Sequence, residues 1–428
     1  MLPLLLLSAA FAYAVFQKGG VWSQDWNIFL LVLGLLALFY RPRTPVPRLE
    51  PWLRWPLILL PCYAAFQLLP LPIPLLRILS PARAEIQAAL GGSFAPLSVV
   101  PVATLHHFIR ISACVAAFLL LRQLAHRFSG RPWTLAYPII LIASLEAALG
   151  LAQQPEAHGT YVSRNHYAGL LEMSLGFPVA YALACGSNLL VGALTACASL
   201  SAAALILLAI IHSQSRMGFI AALFSLFVMA LLALPFRKWT ALALAAALVL
   251  LAFIYLPPDQ LIARFADLAS TDEISGDTRA HIWSDTLRLI AAYPVFGCGL
   301  GGYHSAFLRY KQVAPASTVD FAHNDYLQFL AELGIIGFAI AAALILSVLF
   351  LTLRALSKHT TRQGRALALA SIGGLAAILL HSLVDFNLYV PANALLMTWI
   401  AALSATLMFS SRPLPAPRVI EAKAVATG

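Results

Sequence analysis

The chain has 428 residues, 61% of them hydrophobic and only 10% charged, with a mean hydropathy of +0.85 and a formal net charge of +10. A soluble domain of this length would carry roughly 25% charged residues, so the composition excludes a soluble globular fold and points to an all-α integral membrane protein. The basic excess is partly a matter of membrane topology and is not read as a nucleic-acid footprint, and the five cysteines, mostly within apolar runs, imply no disulfide framework or metal site.

Apolar runs near the ~20 residues that cross a hydrocarbon core fall at 1–17, 22–40, 55–76, 104–121, 133–153, 167–186, 189–211, 217–236, 239–256, 333–353, 366–384 and 391–411. That predicts about twelve transmembrane helices. The first run contains "AYA" at 12–14 and resembles a signal peptide, but it lacks a basic start and is read as a retained helix. With the N-terminus inside, the inner loops hold sixteen Lys and Arg against ten outside, while Arg110 lies within a span. Both termini are therefore expected in the cytoplasm.

The expected organisation is nine spans over 1–256, a long external loop over 257–322, three spans over 323–411 and a cytoplasmic tail over 412–428. Loops of that length are usually functional or disordered, and this one is patterned. "DQLIARFADLA" (259–269) has helical periodicity. After a turn-rich stretch, Asp277 can cap a second helix, "TRAHIWSDTLRLIAAY" (278–293), with Ile282, Thr286, Leu289 and Ile290 on its apolar face and Pro294 ending it. The glycine-rich run of Gly297, Gly299, Gly301 and Gly302 lacks the α/β context of a nucleotide site and reads as a tight backbone passage.

Three polar clusters lie on the same predicted external face. In "HSQSRMG" (212–218), Ser213, Gln214, Ser215 and Arg216 form either an ordinary turn with a snorkelling arginine or an anion cradle. Arg279 and Trp283 stand one helical turn apart near a helix start, where free N–H groups favour an anion; the plain alternative is a surface arginine stacked on its own tryptophan. In "HNDYLQFLAELG" (323–334), His323, Asn324 and Asp325 either cap a helix or present a neutral histidine able to accept a proton, with "YLQFLAELG" as the membrane anchor. Arg164, Asn165 and His166 add a polar rim at another helix entrance. Glu146 and Glu172 are ionisable groups near or within spans, and His381 and Asp385, four residues apart, can meet on one helix face, where a structural role is favoured.

The order of "RNHYAGLLEM" (164–173), "SQSRMG" (213–218), "RAHIW" (279–283), "GCGLGGYHSAF" (297–307), "HNDYLQFLAELGIIG" (323–337) and "HSLVDFNLYVPANAL" (381–395) resembles the O-antigen ligase and polymerase superfamily of bacterial envelope glycan transferases. The likeness covers most of residues 159 to 400. It implies a GT-C-like helical enzyme of the Gram-negative inner membrane, acting on the periplasmic face without a cofactor. The donor implied is a glycan on undecaprenyl diphosphate. The acceptor is a lipid A-core sugar in ligases, another lipid-linked glycan in polymerases, or a protein side chain in O-oligosaccharyltransferases.

The family's essential residues carry over to Arg216, Arg279 and His323. The two guanidinium groups would then stabilise charge on the departing diphosphate, and His323 would activate the acceptor hydroxyl for an inverting displacement. With arginines supplying the positive charge, no metal is required. Ser213, Gln214, Ser215, Arg164, Asn165, His166, Asn324 and Asp325 would line the substrates, and Asn324 and Asp325 would also orient His323 and cap its helix. Trp283 and Tyr303 can stack on sugar or prenyl groups or simply pack. A lipid-linked glycan transporter would be expected to show internal pseudo-symmetry and broken helices, which this sequence lacks. A non-catalytic assembly subunit would tolerate loss of all three essential residues.

Overall fold

The computed structural model describes residues 1–40, 46–153, 155–185, 189–233, 276–314, 318–358 and 361–410. The predicted span at 239–256, the loop helix at 259–269 and the tail at 412–428 lie outside them. Helices dominate, as they must where lipid offers the backbone no hydrogen-bond partner. In chain order they are α1 (Leu2–Phe16), α2 (Ser23–Phe39), α3 (Pro51–Phe66), α4 (Ile73–Leu79), α5 (Pro81–Ala89), α6 (Pro101–Arg127), α7 (Tyr137–Leu151), α8 (Arg164–Ala184), α9 (Leu189–His212), α10 (Arg216–Ala233), α11 (Gly276–Ala292), α12 (Tyr303–Tyr310), α13 (Asp325–Lys358), α14 (Arg362–His381) and α15 (Pro391–Ser410). Among the described residues, seven helical stretches are long and apolar enough to cross a membrane: α6, Pro132–Leu151 with α7, α8, Leu190–His212 of α9, α10, α13 and α14; α1, α2 and the Pro391–Leu407 part of α15 are shorter apolar helices. The chain is thus a multi-pass helical membrane protein.

The most enclosed of the seven are α8 and α14, and α9 and α10 are the least. Glycines explain the enclosure. A Cβ on Gly374 would press on the Met173 carbonyl, and one on Gly176 would meet the Ala370 carbonyl at 3.3 Å, so the two backbones pack closely only because both positions are bare.

The expected span at 55–76 is shortened: α3 stops at Phe66. Buried Gln67 ends it, donating Nε2 to the Phe296 and Glu332 carbonyls (2.8 and 2.9 Å) and accepting the Leu300 N–H at Oε1 (3.2 Å). The chain then forms a two-residue strand, β1 (Leu71–Pro72), antiparallel to β2 (Phe94–Ala95), with α4 and α5 between them.

α13 carries a break that the sequence reading missed. Gly334 has φ 62° and ψ −174°, and a Cβ there would run into the Val295 backbone. The glycine-rich passage crosses the helix at this point, with the Cys298 N–H donating to Ala331 O (2.9 Å), Gly299 N–H to Glu332 O (3.0 Å) and Ile335 N–H to Pro294 O (2.9 Å). The "YLQFLAELG" stretch is therefore a short helix above the break, and the bilayer-length segment starts only after Gly334. α11 keeps its expected apolar face, with Ile282, Thr286 and Leu289 fully buried.

Candidate active site

Three of the polar clusters are capped helix entrances. Ser163 Oγ accepts the Asn165 N–H (3.3 Å), Ser215 Oγ accepts the Gly218 N–H (3.2 Å), and Asn324 Oδ1 accepts the Tyr326 and Leu327 N–H groups (2.9 and 3.0 Å). Arg164 and Arg216 accordingly occupy the first position of their helices. The helix dipole disfavours a cation there.

These entrances meet at one end of the bundle. Asp325 N–H donates to the Ser382 and Asp385 carbonyls (2.9 and 3.1 Å), and its Oδ2 accepts Ser382 Oγ–H (2.7 Å) and the Leu388 N–H (3.2 Å). The segment between α14 and α15 is thereby fixed against the start of α13. Asn393 Nδ2 donates to the His166 carbonyl (2.9 Å), which brings in α8. Gly218 lies so close to Ala168 that a Cβ would clash, so the start of α10 abuts the first turns of α8. Trp283 Nε1 donates to the Ala322 carbonyl (2.9 Å), tying α11 to the residue before His323, one turn along from Arg279.

At the centre, Asp385 Oδ1 faces two imidazoles: His323 Nδ1 at 3.6 Å and His166 Nε2 at 3.5 Å. The Asp385 side chain is 3% exposed and that of His323 20%, so the carboxylate is sealed and the imidazole is open on one side. Both rings stand edge-on to Phe386 (5.0 Å at 73° and 4.5 Å at 74°), and Phe321 stacks on the same ring at 3.9 Å. Burial opposes ionisation of Asp385. The hydrogen bonds from His166 and His323 and the nearby charges of His166 and His381 outweigh it, holding the carboxyl well below the usual carboxylate range.

Two expectations about this cluster need correction. His381 and Asp385 do not pair on one helix face, because α14 ends at His381 and the chain turns away. His381 Nδ1 instead pairs with buried Glu172 at 3.0 Å, and Asp385 is left to His166 and His323. Nor do Asn324 and Asp325 supply a partner for His323: Asn324 caps α13 and donates Nδ2 to Leu383 O (2.8 Å), and Asp325 is engaged by Ser382 and Leu388.

The remaining sequence-derived candidates divide by exposure. Arg216 is exposed and Arg279 half-buried, with a buried Nε that has no hydrogen-bond partner. Ser213 and Ser215 are buried; Ser213 Oγ donates to Ile210 O (2.6 Å) and also accepts the Ser215 N–H (3.3 Å). Gln214 has φ 58° and a buried Oε1 without a hydrogen-bond partner. Arg164 is ion-paired to Glu156 (2.6 Å). Tyr303 is 1% exposed, stacked on Phe307 and hydrogen-bonded to Thr286 (2.7 Å), so in this conformation it packs. Backbone strain concentrates at the site: of the three described non-glycine residues with positive φ, Gln214 and His323 (φ 49°) both belong to the polar clusters.

Several supporting residues escaped the sequence reading. Glu332 accepts the Gly301 and Tyr303 N–H groups (2.8 and 3.2 Å), Gln328 Nε2 (3.0 Å) and the Tyr389 hydroxyl (2.6 Å), clasping the glycine-rich passage to α13. Burial, with Glu332 beside it, pushes the Tyr389 phenol well above its usual value, so it stays a donor. Asp285 Oδ2 accepts three successive N–H groups, of Gln312, Val313 and Ala314 (2.8, 2.9 and 2.9 Å), and pairs with Arg288. Burial opposes that charge, but these N–H groups and Arg288 hold the carboxyl below its ordinary value.

Beside Tyr389 opens a groove of about 230 Å³, lined by apolar side chains together with His107 and Arg110 and by no acidic residue. Its wall includes Leu300 near the glycine-rich passage and Phe118 and Ala401 further along α6 and α15. From His107 to Phe118 the helix rises about 16 Å. Phe329 and Phe321 both pack on Tyr389, so an aromatic wall joins the groove to the Phe386 cluster.

A family model described as O-antigen ligase matches residues 201–342. The matched stretch contains Arg216, Arg279 and His323, and leaves His166 and Asp385 outside. Among curated proteins there is no match. Residues 201–342 are thus similar to the O-antigen ligase family, a likeness that covers about a third of the chain.

Proposed function

We propose that this protein is an O-antigen ligase-like glycosyltransferase that moves a glycan from undecaprenyl diphosphate to a sugar hydroxyl of the lipid A core on the periplasmic face of the inner membrane. The observation that carries the reading is the histidine His323, open on one side and backed by the sealed carboxylate Asp385, where the entrances bearing Arg216 and Arg279 converge.

With Nδ1–H directed at Asp385, the Nε2 lone pair of His323 is left to take the proton of the acceptor hydroxyl. The hydroxyl oxygen forms the new bond to the anomeric carbon from the face opposite the departing group, so configuration inverts. The bond from that carbon to the phosphate oxygen breaks, and its electron pair stays on the diphosphate. Arg216 and Arg279 stabilise the charge that collects there. No metal ion enters the proposed steps. The apolar groove supports a lipid-linked donor, because it offers a hydrocarbon chain a channel reaching from the site into the bundle.

A gene deletion tests the reading. Loss of a ligase leaves bare lipopolysaccharide core with polymer accumulating on the carrier. Core bearing a single repeat unit would assign the protein as a polymerase instead. A protein O-oligosaccharyltransferase would leave lipopolysaccharide unchanged and abolish glycan on protein. Unchanged glycans on core and protein alike would overturn the proposal.

A further inference from the structure

The second imidazole on Asp385 has no part in the scheme above. His166 Nε2 is buried and stands 3.5 Å from the same Oδ1 that faces His323, with no closer hydrogen-bond partner. Its place is fixed from two sides, by Asn393 on its carbonyl and by the Phe386 ring at its edge. A histidine that merely filled space would not need its ring nitrogen aimed at the carboxylate serving the base.

We propose that His166 is a positioning residue for the transfer reaction, which shares Asp385 with His323 and so sets how strongly that carboxylate holds the proton-accepting imidazole. The inference rests on His323 being the base. Oδ1 already accepts the Phe386 N–H (2.8 Å), and a further donor draws on the same charge. While His166 donates its Nε2–H, His323 in its protonated form gains less from Asp385. Without that donor the full carboxylate acts on His323, which then binds its proton more tightly. The other ionisable groups around Asp385 are Asp325 from α13 and His381 from α14, the latter itself paired with Glu172 of α8.

The sign is therefore fixed in advance. In the full-length purified protein, with lipid-linked glycan and core acceptor, His166→Ala should move the acid limb of the kcat–pH profile upward by about one unit, the scale of one charge-assisted hydrogen bond. On that limb kcat falls about tenfold at fixed pH and KM is unchanged. His166→Gln, which keeps an N–H donor without a titrating ring, should restore the limb. If the alanine variant does not accumulate in the membrane, His166→Asn gives the same reading, since its amide stops short of Asp385. A limb that stays at the wild-type pH in the alanine or asparagine variant overturns the proposal, whatever happens to kcat. His323→Ala runs alongside: if it keeps full transfer, the base assignment fails, an outcome distinct from an unmoved limb in an enzyme that depends on His323.

Discussion

Two histidine–carboxylate arrangements lie close together at this end of the bundle, and they are built oppositely. His381 and Glu172 meet at 3.0 Å with side chains 1% and 0% exposed, deep between α14 and α8. His323 and Asp385 stand 3.6 Å apart, one sealed and one open, and a second histidine competes for the same oxygen. A tight, closed pair locks two helices together, whereas a loose pair with an open member keeps a nitrogen available. Proximity of histidine and acid alone does not mark a site; the unsatisfied, accessible side does.

The largest effect that would break this contrast is at His323. His323→Ala should reduce glycan transfer by about 10²–10⁴-fold, the usual contribution of a general base, with the protein still accumulating in the membrane. His381→Ala should do the reverse, removing one partner of a buried pair at a cost of about 3–5 kcal/mol in stability, with turnover per folded molecule retained. Membrane accumulation and single-turnover transfer, measured on the same preparations, separate the two. Equal losses of activity at equal abundance would erase the distinction.

Next come the arginines. Arg216→Ala and Arg279→Ala should each lower kcat by about 10²–10³-fold, as for removal of one donor to a developing anion. Lysine at either position should recover only part, since an ammonium lacks the planar fork that meets two phosphate oxygens. Full activity in both alanine variants would sink the diphosphate clamp and favour a non-catalytic subunit.

Much of the fold was legible because bilayer-length apolar runs state it directly, and so were the polar clusters, since charge at a helix entrance is costly enough to be conspicuous. The partners of those residues were not. Asp385 was assigned to His381 because their spacing suits a helix, but the helix ends between them. Only the fold reveals that Glu332 and Gln67 satisfy the backbone of the glycine-rich passage. Sequence spacing reports neighbours along an element, whereas the site is assembled from four helix entrances far apart in the chain.

A smaller effect tests the groove. Arg110 brings a positive charge into an otherwise apolar channel with no acid on its wall, so it suits a lipid whose phosphate lies near the channel mouth. Arg110→Gln should raise KM for a long-chain donor several-fold and leave kcat nearly unchanged, the signature of lost uniform binding. The same substitution should matter less with a short-chain donor that leaves the channel empty. An equal change for both chain lengths would place Arg110 with the packing of α6.

The mildest prediction concerns acid. Asp285 holds residues 312–314 through three N–H groups, and its carboxyl is depressed below the ordinary value. A depressed carboxyl adds stability that is fully present above its unfolded pKa, about 3.9, and is lost only as pH falls through the lower folded value. Asp285→Asn should therefore loosen the stretch leading to His323 at neutral pH, read as faster proteolysis between α12 and α13. The wild-type protein should show that faster cleavage only in strong acid, after acid-stable proteases are matched for rate. Onset of cleavage near pH 6 would overturn the assignment of this hold to Asp285.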